Sequence, residues 1–138
     1  MENSKRMGSI IELQVMSELL KYGEVSIPYG NNARYDCILD FNNRLLKIQI
    51  KTARHIDDNR FQIPFANTRS KANGSVRKVY TKNEVDFIAT YYKGKLYMFP
   101  TGNCTNLMTI SFKYPNNGLK QTINLAENYE GTYILNNL

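Results

Sequence analysis

Apolar and polar residues alternate along the chain, and the period of the alternation changes after residue 22. Residues 7–22 repeat apolar side chains with a helical period, and Gly23 follows as an expected C-cap. Beyond them the period is that of strands, over residues 25–27, 35–41, 45–52, 61–65, 86–92, 95–99 and 107–113. The pattern therefore predicts one amphipathic helix followed by a series of strands.

Turn-forming residues separate several of these stretches. Asn42-Asn43 and Lys93-Gly94 are expected to form hairpin turns, because Asn and Gly tolerate positive φ angles. Thr81 and Glu84 have the spacing of a capping box that would open one helical turn. Three further segments are predicted as a loop at 66–80, a turn at 115–118, and either helix or strand at 123–129.

Length and composition are those of one soluble domain. The chain has 138 residues, which predicts a single domain over 1–138. Mean hydropathy is −0.47, and no apolar run approaches the roughly 18 residues of a membrane span. The N-terminus lacks the apolar core of a signal peptide, and Cys37 and Cys104 lack metal-site spacing. An intracellular, cytoplasmic protein with reduced thiols is expected.

Positive charge is concentrated in the middle of the chain. The net charge is +6, and between Asn42 and Lys82 inclusive there are ten Lys or Arg residues against two acids. A basic region of this kind indicates a polyanionic partner such as nucleic acid, although the same charges also fit an ordinary solvated surface.

Glu12 is an unusual residue on the predicted helix. At about 100° per residue, Val15, Met16 and Leu19 fall within about 60° of it. The carboxylate is therefore predicted near the middle of the apolar arc, where a charge is costly unless a cation or a hydrogen-bond donor is close.

A two-residue turn at Asn42-Asn43 fixes a register. It places Phe41 opposite Arg44, and continuing the register places Asp36 opposite Gln49 on a shared face, with Lys51 one diagonal further. The predicted hairpin thus gathers a carboxylate, an amide and an ammonium group.

These groups match the needs of metal-dependent phosphodiester hydrolysis. Mg²⁺ takes oxygen ligands, which Asp36, Gln49 and the Ile50 carbonyl could supply. A cation such as Lys51 offsets charge in the transition state. Glu12, on the sheet-facing side of the helix, could reach the same place and is expected to be a further metal ligand.

The pattern resembles the PD-(D/E)xK nuclease superfamily, and within it the group I intron-associated homing endonuclease branch, which also carries Q-x-K. The resemblance covers about residues 5–100 and rests on Gly8, Glu12, Tyr35, Asp36, Gln49 and Lys51, with similar downstream segments at 80–86 and 96–100.

The resemblance implies an α/β, restriction-endonuclease-like core with a mixed β-sheet flanked by helices. It also implies Mg²⁺-dependent cleavage of double-stranded DNA, with Mn²⁺ expected to substitute, by a homodimer or higher homo-oligomer. Asp36 takes the position of the central metal ligand, Lys51 that of the catalytic lysine, and Glu12 that of the first-helix acid. Gln49 stands where a second acid is usual and is a weaker ligand because an amide carries no full charge.

DNA contacts are expected from basic residues around and after this site: Lys47, Arg54, His55, Arg69, Lys71, Arg77 and Lys78. Candidates for reading base edges in the major groove are Arg54, Gln62, Asn67, Arg69 and Lys71. The tyrosines at 29, 35 and 80 are expected to pack in the core or at its rim.

Three functions fit these residues. The first is a site-specific double-strand DNA endonuclease, with a homing enzyme of a mobile intron as one form of it. The second is a structure-selective nuclease such as a Holliday junction resolvase, which would cut junctions regardless of sequence. The third is a non-catalytic DNA-binding module, whose salt-sensitive binding would not need Asp36 or Lys51.

Overall fold

A computed structural model describes residues 3–71, 74–103, 105–116 and 123–138. The helices are α1 (Ser4–Leu19), a 3-10 turn at Ala126–Tyr129, and α2 (Gly131–Asn136). The strands are β1 (Glu24–Ser26), β2 (Cys37–Phe41), β3 (Arg44–Ile50), β4 (Arg54–His55), β5 (Arg60–Pro64), β6 (Ala66–Lys71), β7 (Gly74–Val79), β8 (Phe87–Tyr92), β9 (Lys95–Pro100) and β10 (Leu107–Ser111).

A mixed five-stranded sheet forms the centre of the fold, in the order β1-β2-β3-β8-β9. Only the β3–β8 pair among these is parallel, so the chain must cross over between them. Strands β10, β5 and β4 form a second sheet, and β6 pairs with β7 in a separate hairpin. The α/β class and the mixed sheet flanked by helices agree with the fold that the resemblance implies.

The central sheet is buried on both faces. On one face α1 and α2 cover a core that includes Val15, Leu19, Ile48, Ala89 and Leu135. On the other face the second sheet encloses Phe61, Ile63, Ile88, Phe99 and Ile110. Successive residues of β8 alternate between the two cores, which explains why its apolar run is nearly continuous.

Both predicted hairpin turns are present. Asn42 and Asn43 have φ angles of 50° and 63°, and Lys93 and Gly94 have φ angles of 50° and 79°. Phe41 faces Arg44 as predicted, and regular pairing continues to Cys37 opposite Ile48. The predicted pairing of Asp36 with Gln49 lies one step beyond the last regular pair.

The prediction of a loop over residues 66–80 is wrong. Strands β6 and β7 pair over six residue positions, from Ala66 opposite Val79 to Lys71 opposite Gly74. Backbone hydrogen bonds form this ladder without an apolar face, so the segment lacks the alternation that reveals a strand in a sequence. The hairpin therefore extends a basic stretch of chain as a two-stranded ribbon.

Smaller differences concern the ends of elements. Helix α1 begins three residues earlier than predicted because the Asn3 side chain caps it, accepting a hydrogen bond from the Lys5 N–H at 2.9 Å. Glu84 accepts from the N–H and hydroxyl of Thr81, as in a capping box, but only a turn follows. The undecided segment 123–129 contains the 3-10 turn, and further elements not predicted from the sequence are β4 and α2.

The structure describes only some of the residues that the predictions on cysteines, turns and membrane spans concern. Cys37 is buried with a free thiol, whereas Cys104 and the second half of the predicted turn at 115–118 lie outside the described residues. Within the described ranges, no helix has the length and apolar character to cross a membrane.

Candidate active site

A cavity of about 590 Å³ lies where the β2–β3 hairpin meets the base of the β6–β7 hairpin. We call it the Asp36 cavity. Its lining comes from three separate parts of the chain, namely the loop at 31–34, the predicted site residues Asp36, Gln49 and Lys51, and the hairpin-base residues Asn67, Lys78 and Tyr80. The structure thus brings together three of the four predicted catalytic residues.

Asp36 is fixed by the backbone of β3. Its Oδ2 atom accepts a hydrogen bond from the Ile50 N–H at 2.8 Å, and its own N–H donates to the Ile48 carbonyl at 2.8 Å. Burial raises the pKa of the Asp36 carboxyl, while the hydrogen bond from Ile50 and the charge of Lys51 act in the opposite direction. Its carboxylate is thus partly desolvated and has a fixed orientation at the cavity wall.

Gln49 lines the Asp36 cavity, and its side-chain amide contacts the Ile50 carbonyl. The Gln49 side chain is half-buried, and its Nε2 atom is 3.4 Å from the Ile50 carbonyl oxygen, to which it donates. Within the described part of the chain, no group of three or more His, Cys, Asp or Glu residues could hold a metal.

Lys51 follows directly on β3. Its backbone N–H donates to the Ala89 carbonyl at 3.0 Å, which extends the β3–β8 pairing by one residue. Its ammonium nitrogen lies 5.2 Å from the centre of the Tyr80 ring, within cation–π range. The hairpin and its parallel neighbour therefore place a lysine at the cavity.

Glu12 lies near this group but does not line the cavity. It is half-buried on α1, beside the buried row Ile11, Val15 and Leu19. Burial raises the pKa of the Glu12 carboxyl, and the negative charge of Asp36 raises it further. Glu12 therefore stands at the edge of the buried face rather than at its middle, close enough to Asp36 for the two charges to interact.

Arg34 is a component of the site that the sequence analysis missed. Its Nη1 atom donates to Glu84 Oε1 at 2.8 Å and to the Val79 carbonyl at 3.3 Å, and Nη2 donates to the Lys78 carbonyl at 3.1 Å. Its guanidinium carbon lies 4.0 Å from the centre of the Tyr80 ring. Arg34 thereby connects the loop before Asp36 to the hairpin. The one feature of the sequence that could have indicated its place at the site is its position two residues before Asp36.

The predicted DNA contacts fall in different places. Lys78 lines the Asp36 cavity, as does the groove-reading candidate Asn67. Arg54 and His55 are exposed on β4 in the second sheet, where His55 Nδ1 is 2.8 Å from the Tyr92 hydroxyl oxygen. Lys47 is not among the lining residues, because its ammonium group donates to the Asn83 carbonyl.

The structure gives less information on the other residues that were predicted to contact DNA. Arg69, Lys71 and Arg77 belong to β6 and β7, but their side chains lie outside the described structure. Gln62 Nε2 donates to the Thr109 hydroxyl at 3.3 Å.

The prediction that three tyrosines pack in the core or at its rim holds for Tyr80, which is buried, and for Tyr35, which borders the second core. It is wrong for Tyr29, which is fully exposed.

Comparison with known proteins identifies the class to which this chain belongs. The family model described as PD-(D/E)XK endonuclease matches residues 2–132, so the chain belongs to the PD-(D/E)XK endonuclease family. It is therefore a nuclease that acts on DNA. Members of this family generally use divalent metal ions.

A solved structure has a similar fold over nearly the whole chain. The bacterial homing endonuclease I-Ssp6803I superposes with a TM-score of 0.75 at 22% sequence identity, covering 99% of this chain and 95% of its own. No curated protein matches the chain in sequence.

Proposed function

We propose that this protein is a Mg²⁺-dependent, site-specific endonuclease that hydrolyses phosphodiester bonds in double-stranded DNA. The observation that supports this most directly is the convergence of Asp36, Gln49 and Lys51 on one cavity in a member of an endonuclease family. A homing role in a mobile intron is part of the proposal, supported by the Q-x-K motif and by the fold shared with a homing endonuclease.

Two residues that line the cavity suit a hard divalent cation, since Asp36 offers a carboxylate and Gln49 an amide oxygen. The backbone carbonyl of Ile50, which lies between Gln49 and Lys51 on β3, is proposed as a third ligand of a type that Mg²⁺ accepts. The Asp36 carboxylate is desolvated and near Glu12, so a cation there would relieve the mutual repulsion of two acids. When bound, Mg²⁺ would supply Lewis-acid activation, and Mn²⁺ is expected to replace it.

The chain's own groups complete the chemistry. The Lys51 ammonium offsets negative charge at the phosphate and orients the attacking water through its N–H donors. The backbone hydrogen bond from Ile50 keeps one Asp36 oxygen occupied, so the carboxylate holds a single orientation. Glu12 acts at longer range, through its charge.

DNA binding is assigned mainly to the basic hairpin. Lys78 stands at the cavity and can contact the phosphate backbone, and Arg69, Lys71 and Arg77 follow the same ribbon. Lys47, Arg54 and His55 are placed further from the cavity and belong to the proposal as outer backbone contacts. A β-ribbon of this kind fits the major groove of DNA.

The proposed active form is a homodimer or higher homo-oligomer. Each chain carries one Asp36 cavity within its described residues, and a double-strand cut needs two active sites or two turnovers.

The test is cleavage of a mixed pool of duplex DNA and four-way junctions with Mg²⁺ or Mn²⁺. Wild type is compared with Lys51→Ala, and Lys21→Ala is the matched control because Lys21 lies in the turn after α1, where it pairs with Glu18. Cutting of duplex DNA that is lost only in Lys51→Ala supports the proposal.

Other outcomes identify the alternatives. Preferred cutting of junctions would indicate a structure-selective nuclease. Salt-sensitive binding without cutting, unchanged in Lys51→Ala, would indicate a non-catalytic DNA-binding module.

A further inference from the structure

Tyr80 is buried, yet its ring reaches the Asp36 cavity. Only 3% of its surface is exposed, and it belongs to the second core with Phe65 and Val85. Its backbone N–H donates to the Phe65 carbonyl at 3.0 Å, so the residue is fixed at the end of the β6–β7 hairpin. A ring in this position is a rigid surface at the cavity wall.

Two cations lie against this one ring. The Arg34 guanidinium carbon is 4.0 Å from the ring centre, and the Lys51 ammonium nitrogen is 5.2 Å from it. The face of an aromatic ring carries partial negative charge and attracts both groups. The Tyr80 ring is therefore shared by a fixed arginine and the lysine of the candidate site.

Arg34 has little freedom to act on a substrate. Glu84 and the carbonyls of Lys78 and Val79 accept its hydrogen bonds, and its side chain is 18% exposed. Because Glu84 also neutralises its charge, Arg34 can lie on Tyr80 without repelling Lys51 strongly. Its role is to hold the ring and the hairpin end in place.

The Lys51 ammonium lacks such partners. Among residues 3–71, 74–103, 105–116 and 123–138, no oxygen accepts a hydrogen bond from it and no carboxylate is within ion-pair distance. Asp36 interacts with its charge from further away, and the Tyr80 ring is the group that the ammonium contacts. A carboxylate in this place would neutralise the lysine and occupy its donors. An aromatic ring restricts the ammonium while leaving its charge and its N–H groups available.

We propose, resting on the function above, that Tyr80 is a positioning residue for Lys51. The ring face holds the ammonium in the Asp36 cavity without neutralising it, and Arg34 in turn fixes the ring. The ring, rather than the phenol hydroxyl, carries this role. Tyr80→Phe should therefore keep the positioning of Lys51. Tyr80→Leu should lose it, because leucine packs in a core but has no π face.

The first measurement is independent of activity. In NMR spectra, the Lys51 side-chain methylene protons, assigned by their loss in Lys51→Arg, should show an upfield ring-current shift in wild type and in Tyr80→Phe. The shift should disappear in Tyr80→Leu. An unchanged shift in Tyr80→Leu would overturn the contact between ring and lysine.

The second measurement is single-turnover cleavage of duplex DNA at saturating enzyme with Mg²⁺. Tyr80→Leu should lower the rate about three- to thirty-fold while the Kd for DNA stays within about twofold, and Tyr80→Phe should restore most of the rate. Thermal unfolding fixes a temperature at which all variants are folded.

The outcomes separate this inference from the proposed function. A Tyr80→Leu variant that loses the ring-current shift but cuts at the wild-type rate overturns the positioning role alone. A rate lost equally in Tyr80→Phe and Tyr80→Leu overturns the assignment to the ring. Wild-type protein that cuts no DNA overturns the proposed function and, with it, this role.

Discussion

The Asp36 Oδ2 atom accepts a hydrogen bond from the Ile50 N–H at 2.8 Å, which joins the start of one strand to the end of its neighbour. In this position a side chain replaces a backbone carbonyl in the ladder. The carboxylate is consequently oriented by the same two strands that carry Gln49 and Lys51. The candidate site is therefore part of the sheet rather than an attachment to it.

Asp36→Asn should abolish metal-dependent cleavage and leave DNA binding intact or tighter. The variant removes a negative charge from the metal and phosphate position, and we expect a rate loss of at least about a hundredfold. Cleavage assays and binding titrations measure the two effects. Asp58→Asn, at an exposed position, is the control, and a folded Asp36→Asn protein that no longer binds DNA would contradict the assigned role.

Gln49→Glu should raise the affinity for Mg²⁺. A carboxylate adds a full negative charge to the ligand set, so the Mg²⁺ concentration at half-maximal rate should fall on the order of tenfold. The measurement is a Mg²⁺ titration of the cleavage rate, with Gln14→Glu as control because Gln14 is exposed on α1. Unchanged Mg²⁺ dependence would show that Gln49 is not a ligand.

Glu84→Gln should reduce the stability of the hairpin base. Burial acts to raise the pKa of the Glu84 carboxyl, but the Thr81 N–H and hydroxyl and the Arg34 guanidinium together lower it below its ordinary value of 4.5. A depressed folded-state pKa stabilises the protein above that value, and the contribution is lost as the pH falls through the folded-state pKa.

Chemical denaturation at two pH values measures this effect. At pH 7 we expect Glu84→Gln to lower the free energy of unfolding by about 1 kcal/mol. The difference from wild type should shrink at about pH 3.5. Glu130→Gln, which removes an exposed pair with Lys95, should change stability little, and a pH-independent Glu84→Gln effect would argue against the ion pair.

Two buried threonines give a matched test of the core. The Thr90 hydroxyl is buried and has no hydrogen-bond partner among the described residues, whereas the Thr101 hydroxyl donates to the Val85 carbonyl. Thr90→Val should leave stability unchanged or raise it by up to about 1 kcal/mol, and Thr101→Val should lower it by about 1 kcal/mol. Equal losses of unfolding free energy in both variants would contradict this.

The features that were predicted correctly from the sequence depend on residues close together in the chain. Positive φ angles at Asn42 and Asn43 follow from the residue type, and the turn then sets the register that brings Asp36 towards Gln49. Asp36, the turn and Gln49 lie within one stretch of fifteen residues, so no contact between distant parts of the chain is needed to derive their arrangement. The resemblance supplied the fold class in the same way, from motifs carried on this hairpin and on α1.

What the sequence did not predict depends on distant contacts. Arg34 and Glu84 are 50 residues apart, and their ion pair exists only once the β6–β7 hairpin has docked beside the loop at 31–34. Leu13 is an apolar residue of α1 and is nevertheless 66% exposed, because the sheet covers only the narrow row formed by Ile11, Val15 and Leu19. Periodicity gives a direction on a helix but not the width of the surface that covers it.

Asn67 and Lys78 face each other at the base of the β6–β7 hairpin, and both also form a wall of the Asp36 cavity. Under the proposed function, a substitution at either position would change the surroundings of the reacting phosphate together with any contact to DNA. On the same proposal, redesign of the target sequence through these two residues would alter turnover as well, so that target choice and cutting rate would be coupled at this end of the ribbon.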